Sequence, residues 1–103
     1  LYVYPLDEWE KILKKLSTLS FTKKSNREFS RMFLSGAYKR EIDGKGRINL
    51  DKNLMEYAGL QKECVIIGVG ERLELWDKAE WERYYDERRS VLEEISEGIE
   101  FDI

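Results

Sequence analysis

The stretch Tyr38-Lys39-Arg40-Glu41-Ile42-Asp43-Gly44-Lys45-Gly46-Arg47-Ile48-Asn49-Leu50 constrains the fold of this chain more than any other. Asp-Gly between β-prone runs marks a tight hairpin, because glycine accepts the positive φ that such turns require. Two antiparallel strands joined at Asp43–Arg47 are therefore predicted. The turn carries Lys45 and Arg47, and Lys39 and Arg40 stand just before it, with Glu41 between them and Ile42. Exposed cations on a glycine turn suit an anionic backbone, so Lys39, Arg40, Asp43, Lys45 and Arg47 are the candidate DNA-binding residues. The same cations also suit a solvated turn that guards a strand edge. Asp43 equally suits a turn-former whose carboxylate accepts from nearby backbone N–H groups.

The rest of the chain narrows the classes of function. At 103 residues with 42% hydrophobic content and a single proline, it is a folded chain of one domain, or one domain with an appendage. No apolar run approaches the ~20 residues of a membrane span, and no signal-peptide pattern opens it. One cysteine, Cys64, rules out an internal disulfide, and its place in Cys64-Val65-Ile66-Ile67 predicts a small buried hydrophobe. The absence of histidine removes the commonest acid/base group and metal ligand. Neither a Gly-x-x-x-x-Gly-Lys loop nor a serine elbow occurs, and Gly68-Val69-Gly70 lacks the third glycine of a dinucleotide fingerprint. The reading is a cytoplasmic protein that is not an enzyme, with no cofactor, no metal, no small-molecule substrate and no membrane partner.

The net charge of −3 hides a split. Residues 1–50 hold 11 Lys or Arg against 6 Asp or Glu, and residues 51–103 hold 7 against 15. A localised basic feature on an acidic body is compatible with nucleic acid, although such splits also arise by chance in helical proteins.

Along the chain, Leu1–Pro5 reads as a strand ended by proline. Asp7 is expected to cap a helix whose apolar positions Leu6, Trp9, Ile12, Leu13 and Leu16 recur at three and four residues. Ser25-Asn26-Arg27-Glu28 matches a capping box, with Thr22 an earlier start, and Phe29, Met32 and Phe33 would form the buried stripe of that second helix. Asp51 is expected to cap a short helix closed by Gly59. Lys62–Gly68 reads as a buried strand, Val69-Gly70-Glu71 as a turn and Arg72–Trp76 as an alternating strand. Asp77 then starts a long amphipathic helix with Trp81, Tyr84, Tyr85, Leu92, Ile95 and Ile99 on one side, and the apolar tail Phe101-Asp102-Ile103 suits docking.

There is an internal echo. Placing residue 1 over residue 73 aligns Leu1 with Leu73, Tyr4 with Trp76, and Glu8-Trp9-Glu10 with Glu80-Trp81-Glu82. The second copy is preceded by the hairpin, the short helix and a strand. The echo therefore predicts that equivalent elements belong upstream of residue 1. Trp9, Trp76, Trp81, Tyr84 and Tyr85 could stack on nucleobases. At helical spacing they more often form core or subunit interface, and so many on a short chain favour oligomerisation.

Asp43-x-x-Gly46-Arg47, the short helix ending Tyr57-Ala58-Gly59-Leu60, and Lys62-Glu63-Cys64-Val65-Ile66-Ile67-Gly68-Val69 together resemble the second half of the MraZ family, bacterial regulators with two SpoVT/AbrB-like repeats. Phe33-Leu34-Ser35-Gly36-Ala37, Leu73-Glu74-Leu75-Trp76-Asp77 and the Phe101-Asp102-Ile103 ending extend the resemblance over nearly the whole chain. It implies an α+β fold built on a swapped-hairpin AbrB-like β-barrel with flanking amphipathic helices. Residues 1–5 would be the last strand of a first repeat, 6–34 a helical connector, 35–78 the second repeat, and 79–103 a C-terminal helix and tail. It further implies a nucleoid-associated repressor of the division and cell-wall gene cluster. Such a repressor binds repeated boxes in double-stranded promoter DNA as a ring-shaped homo-oligomer. The family's Asp-x-x-x-Arg motif falls on Asp43 and Arg47, with Lys45 between them; Lys39 and Arg40 are added from local charge. Ile48-Asn49-Leu50-Asp51 departs from the Ile-Pro pattern common in the family, which bears on the entry to the short helix and not on the tip. The alternatives are an AbrB-like antitoxin or transition-state regulator, and a ring-assembling scaffold that does not bind DNA.

Overall fold

Val65, Ile67, Leu75 and Trp76 give the chain two strands with an apolar side, and these pair first. In the computed structural model, which describes residues 1–99, β2 (Cys64–Gly68) and β3 (Leu73–Asp77) form an antiparallel hairpin with Cys64 opposite Asp77 and Gly68 opposite Leu73. Val69 N–H donates to the Arg72 carbonyl at 2.9 Å, and Gly70 takes the positive φ (72°) that closes the turn. β1 (Tyr2–Val3) adds to the other edge of β3, giving an antiparallel sheet in the order β1-β3-β2. The helices are α1 (Leu6–Ser17), α2 (Lys24–Ser35), α3 (Lys52–Ala58), α4 (Lys78–Arg89) and α5 (Leu92–Glu97). This is an α+β architecture with an open sheet, not a closed barrel. The tail Phe101-Asp102-Ile103 lies outside the described residues.

The internal echo has a three-dimensional counterpart. Its offset of 72 places Tyr2 over Glu74, and Tyr2 is the residue paired with Glu74 across β1 and β3. Leu1 and Leu75 exchange both backbone bonds, at 2.7 and 3.0 Å, and Val3 faces Leu73. Exchanging the two copies therefore maps this ladder onto itself, as a local two-fold axis through the Tyr2–Glu74 pair would. The aromatic pairs match too: Tyr4–Trp9 centroids lie 6.1 Å apart and Trp76–Trp81 5.4 Å. At the axis, Glu74 accepts from the Trp76 indole N–H (3.0 Å) and from Arg72 (2.9 Å), while Arg72 sits 4.3 Å over the Tyr2 ring. The Trp76 bond, then Arg72, hold the Glu74 carboxyl below the ordinary glutamate range.

Several local expectations are corrected. Asp7 does not cap α1. Pro5 occupies the cap with its carbonyl accepting from Trp9 N–H, and Asp7 Oδ1 accepts from Glu8 N–H inside the first turn. The Ser25 capping box does not form, because Asn26 donates to the Ser20 carbonyl and Arg27 to those of Phe21 and Thr22, turning the chain into helix at Lys24. Asp51 and Asp77 stand at the N-caps of α3 and α4, but neither side chain bonds its own helix. Buried Asp77 instead accepts from Gln61 N–H at 3.0 Å and anchors the segment leading into β2. The long C-terminal helix is two helices: Ser90 Oγ turns back to the Glu87 carbonyl, and β-branched Val91 leaves the helical region at φ −115°.

Burial is where the sequence misleads most. Cys64 is exposed, because β2 is an edge strand and Cys64 lies at its end. Lys62–Gly68 is not a buried strand: it begins at Cys64, Val65 and Ile67 are half-buried, and Ile66 is exposed. In the α2 stripe only Phe33 is covered, stacked at 5.8 Å on Trp9, while Phe29 and Met32 stay in solvent. Among the described residues only Leu60 (9% exposed) and Asp77 (7%) are buried. The chain exposes 9209 Å², where a compact chain of 12.3 kDa would expose about 6,100 Å². Its radius of gyration is 16.9 Å, against about 13 Å for a compact chain of this length.

Candidate functional site

Between α2 and α3 the chain forms the predicted turn but not the predicted strands. Among the described residues, neither 38–42 nor 47–50 joins a ladder. Both flanks are exposed, with no sheet edge of the same chain beside them, so the backbone groups a ladder would pair remain in water. The turn itself is closely specified. Gly46 N–H donates to the Asp43 carbonyl at 3.0 Å and Asp43 N–H to the Arg47 carbonyl at 2.9 Å. The positive φ falls on Gly46 (78°), not on Gly44. That is a three-residue loop with a left-handed glycine in the bulge position, and not the two-residue Asp-Gly turn.

Asp43 organises this tip. Its Oδ1 accepts from Lys45 N–H at 2.9 Å and Arg47 N–H at 2.8 Å, and its Oδ2 accepts from Arg47 Nε at 3.1 Å. The backbone bond from Arg47 and then that from Lys45 hold the carboxyl below the ordinary aspartate range. The turn-former reading of Asp43 is thus the one the geometry displays, and it serves the cations as well. Arg47 is oriented through Nε, while its two terminal amino groups have no protein partner among the described residues. Lys45 is exposed beside it, and among the described residues neither Lys39 nor Lys45 is ion-paired. The tip is therefore a preset loop presenting cations to solvent.

Arg40 does not join them. Its guanidinium pairs with Asp51 at the start of α3, donates to the Lys39 carbonyl at 2.7 Å, and lies 5.5 Å from the Tyr38 ring centroid. It ties one arm of the turn to the helix after the other arm. Asp51 was legible only as a cap, yet a hairpin centred on Lys45 brings positions 40 and 51 near each other, and that was the signal for the pair. The structure thus brings Asp43, Lys45 and Arg47 together, leaves Lys39 on the adjoining arm, and assigns Arg40 to the scaffold.

Because the folded tip lowers the Asp43 pKa, its contribution to tip order is fully present above the ordinary aspartate value. It is lost as pH falls through the lowered one. A carboxyl-resolved NMR titration is expected to show Asp43 protonating last among the exposed aspartates, with the Lys45 and Arg47 amide signals moving at the same midpoint. An ordinary aspartate midpoint for Asp43 would show that the tip is not organised by this carboxylate.

One comparison bears on the whole region. The model of the family described as "MraZ protein, putative antitoxin-like" matches residues 33–100, about two thirds of the chain, including the turn, α3, the β2–β3 hairpin and both C-terminal helices.

Proposed function

The chain belongs to the MraZ family, and on that premise we propose that it is a sequence-specific DNA-binding transcriptional repressor acting as a ring-shaped oligomer on repeated promoter boxes. The observation that carries this reading is the Asp43-organised tip, where Arg47 is oriented by one carboxylate yet keeps its terminal amino groups available. A guanidinium with two free parallel donors suits the acceptor edge of guanine in the major groove. Lys45 and Lys39 add phosphate contacts. No helix of the described residues is long and apolar enough to cross a membrane.

Assembly follows from what the chain leaves uncovered. The excess over a compact chain is roughly 3,000 Å², within the range that obligate interfaces bury. Tyr38, Ile42 and Ile48 line unpaired arms, and pairing those arms with a second copy would complete the swapped-hairpin barrel. In this reading residues 35–78 form one repeat and 1–5 end another, with 6–34 connecting them and 79–103 forming the tail. One tip with two or three cations binds weakly, since each phosphate neutralised changes log K against log salt by only about −0.9. Several tips at fixed spacing bind repeated boxes far more tightly, because each later contact is effectively intramolecular. Salt-titrated gel shifts against promoter repeats and random DNA test this. Equal affinity for both at every salt concentration would leave the sequence-specific reading without support.

A further inference from the structure

The loop joining α1 and α2 is a second built feature that the hairpin reading does not use. Phe21 is 79% exposed there, with Leu19 also exposed. An apolar loop tip in water is ordinarily mobile, yet this one is fastened from α2. Arg27 Nη1 donates to the Phe21 carbonyl (2.9 Å) and the Thr22 carbonyl (3.0 Å), Asn26 donates to the Ser20 carbonyl (2.9 Å), and the Ser20 and Thr22 hydroxyls bond each other at 2.7 Å. Trp9 near the start of α1 stacks on Phe33 near the end of α2, so the two helices run antiparallel at that end. Lys14 and Lys15 at the end of α1, and Lys23 and Lys24 at the start of α2, are therefore brought to the same end as Phe21. The result is a fixed phenyl ring among four lysines.

The opposite chemistry lies elsewhere on the chain. A cleft of about 410 Å³ opens between the end of α3 and β3, with Tyr57, Ala58, Leu75 and Trp76 among its walls and Glu56 and Glu80 at its exposed margins. Tyr57 is 91% exposed there. Glu56 and Glu80 have only exposed partners on their own helices, Lys52 at 3.8 Å and Arg83 at 2.9 Å, and such pairs exchange at little cost. A basic apolar knob and an acidic apolar cleft on one chain are complementary to each other and not to themselves.

We infer that the Phe21 loop of one copy docks in the Tyr57–Trp76 cleft of the next, a head-to-tail contact between copies of this chain. Phe21 enters the cleft, and Lys14, Lys15, Lys23 and Lys24 face Glu56 and Glu80. Contacts between two different surfaces generate closed rings when the rotation closes. The contact therefore gives the assembly proposed above its subunit-to-subunit surface, and it rests on that part of the proposal and not on DNA binding.

The test uses the full chain with two variants at exposed positions, checked for native circular dichroism: F21S/K23E/K24E on the knob and E56K/E80K on the cleft margins. Each alone is expected to self-associate at least about tenfold more weakly than wild type in sedimentation velocity, on the scale of one phenyl ring withdrawn from burial. Mixed one to one, they should form a stoppered heterodimer and nothing larger, because only one intact knob and one intact cleft remain. Wild-type assembly by either variant, or no heterodimer on mixing, overturns the contact. A third result, wild-type assembly with loss of binding to vesicles containing phosphatidylserine, would assign the loop to an anionic lipid surface instead. Arg47→Ala, run in parallel, should leave these sedimentation results unchanged, so failure of the contact and failure of the DNA reading appear in different assays.

Discussion

Arg47→Ala is expected to abolish binding to promoter repeats while leaving the size of the assembly unchanged. The size should hold because the Arg47 side chain is exposed and bonds only Asp43, within the same turn. The loss should be large because it recurs at every tip. A bidentate arginine–guanine contact discriminates by about 1–3 kcal/mol, so three engaged tips lose about 3–9 kcal/mol, or at least about a hundredfold in affinity. Arg47→Lys separates the two contributions of the residue. Lysine keeps the charge but cannot make the two parallel bonds, so binding to random DNA and its salt slope should persist while the preference for repeats disappears. Gel shifts across a salt series, with light scattering on the same samples, give the answer. Unchanged affinity of the alanine variant for the repeats would sink the assignment of the tip.

The second large effect concerns stability. One chain buries only Leu60 and Asp77 among its described residues, so its folding free energy is expected to come in large part from contacts between copies. For such a protein stability and association are one equilibrium, and the midpoint of thermal unfolding depends on concentration. A hundredfold rise in protein concentration is expected to raise that midpoint by roughly 5–20 °C. Calorimetry at two concentrations measures it, with sedimentation confirming that the assembly dissociates as the chain unfolds. A midpoint independent of concentration would mean that the exposed faces contribute nothing to folding.

Elements with local causes were readable residue by residue. Gly59 at φ 66° closes α3 where its sequence placed it, and the Val69-Gly70-Glu71 turn joins the strands expected around it. The echo between Leu1 and Leu73 also foretold a spatial relation, since Tyr2 pairs with its own counterpart Glu74. Judgements of burial were less secure. Hydrophobicity shows that Phe29, Met32, Ile66 and Tyr57 prefer to leave water, and it does not show whether the partner lies in the same chain. All four are exposed.

The turn from Asp43 to Arg47 divides the two kinds of knowledge. By itself the sequence determined that a turn forms there and that it carries cations, because glycine spacing and charge act within a few residues. Only the tertiary structure decided which glycine takes the left-handed position, and that Asp43 orients Arg47 while Asp51 removes Arg40 from the exposed set. Those outcomes depend on where side chains meet after the backbone has turned. Such distances are set by the path of the whole segment and not by composition.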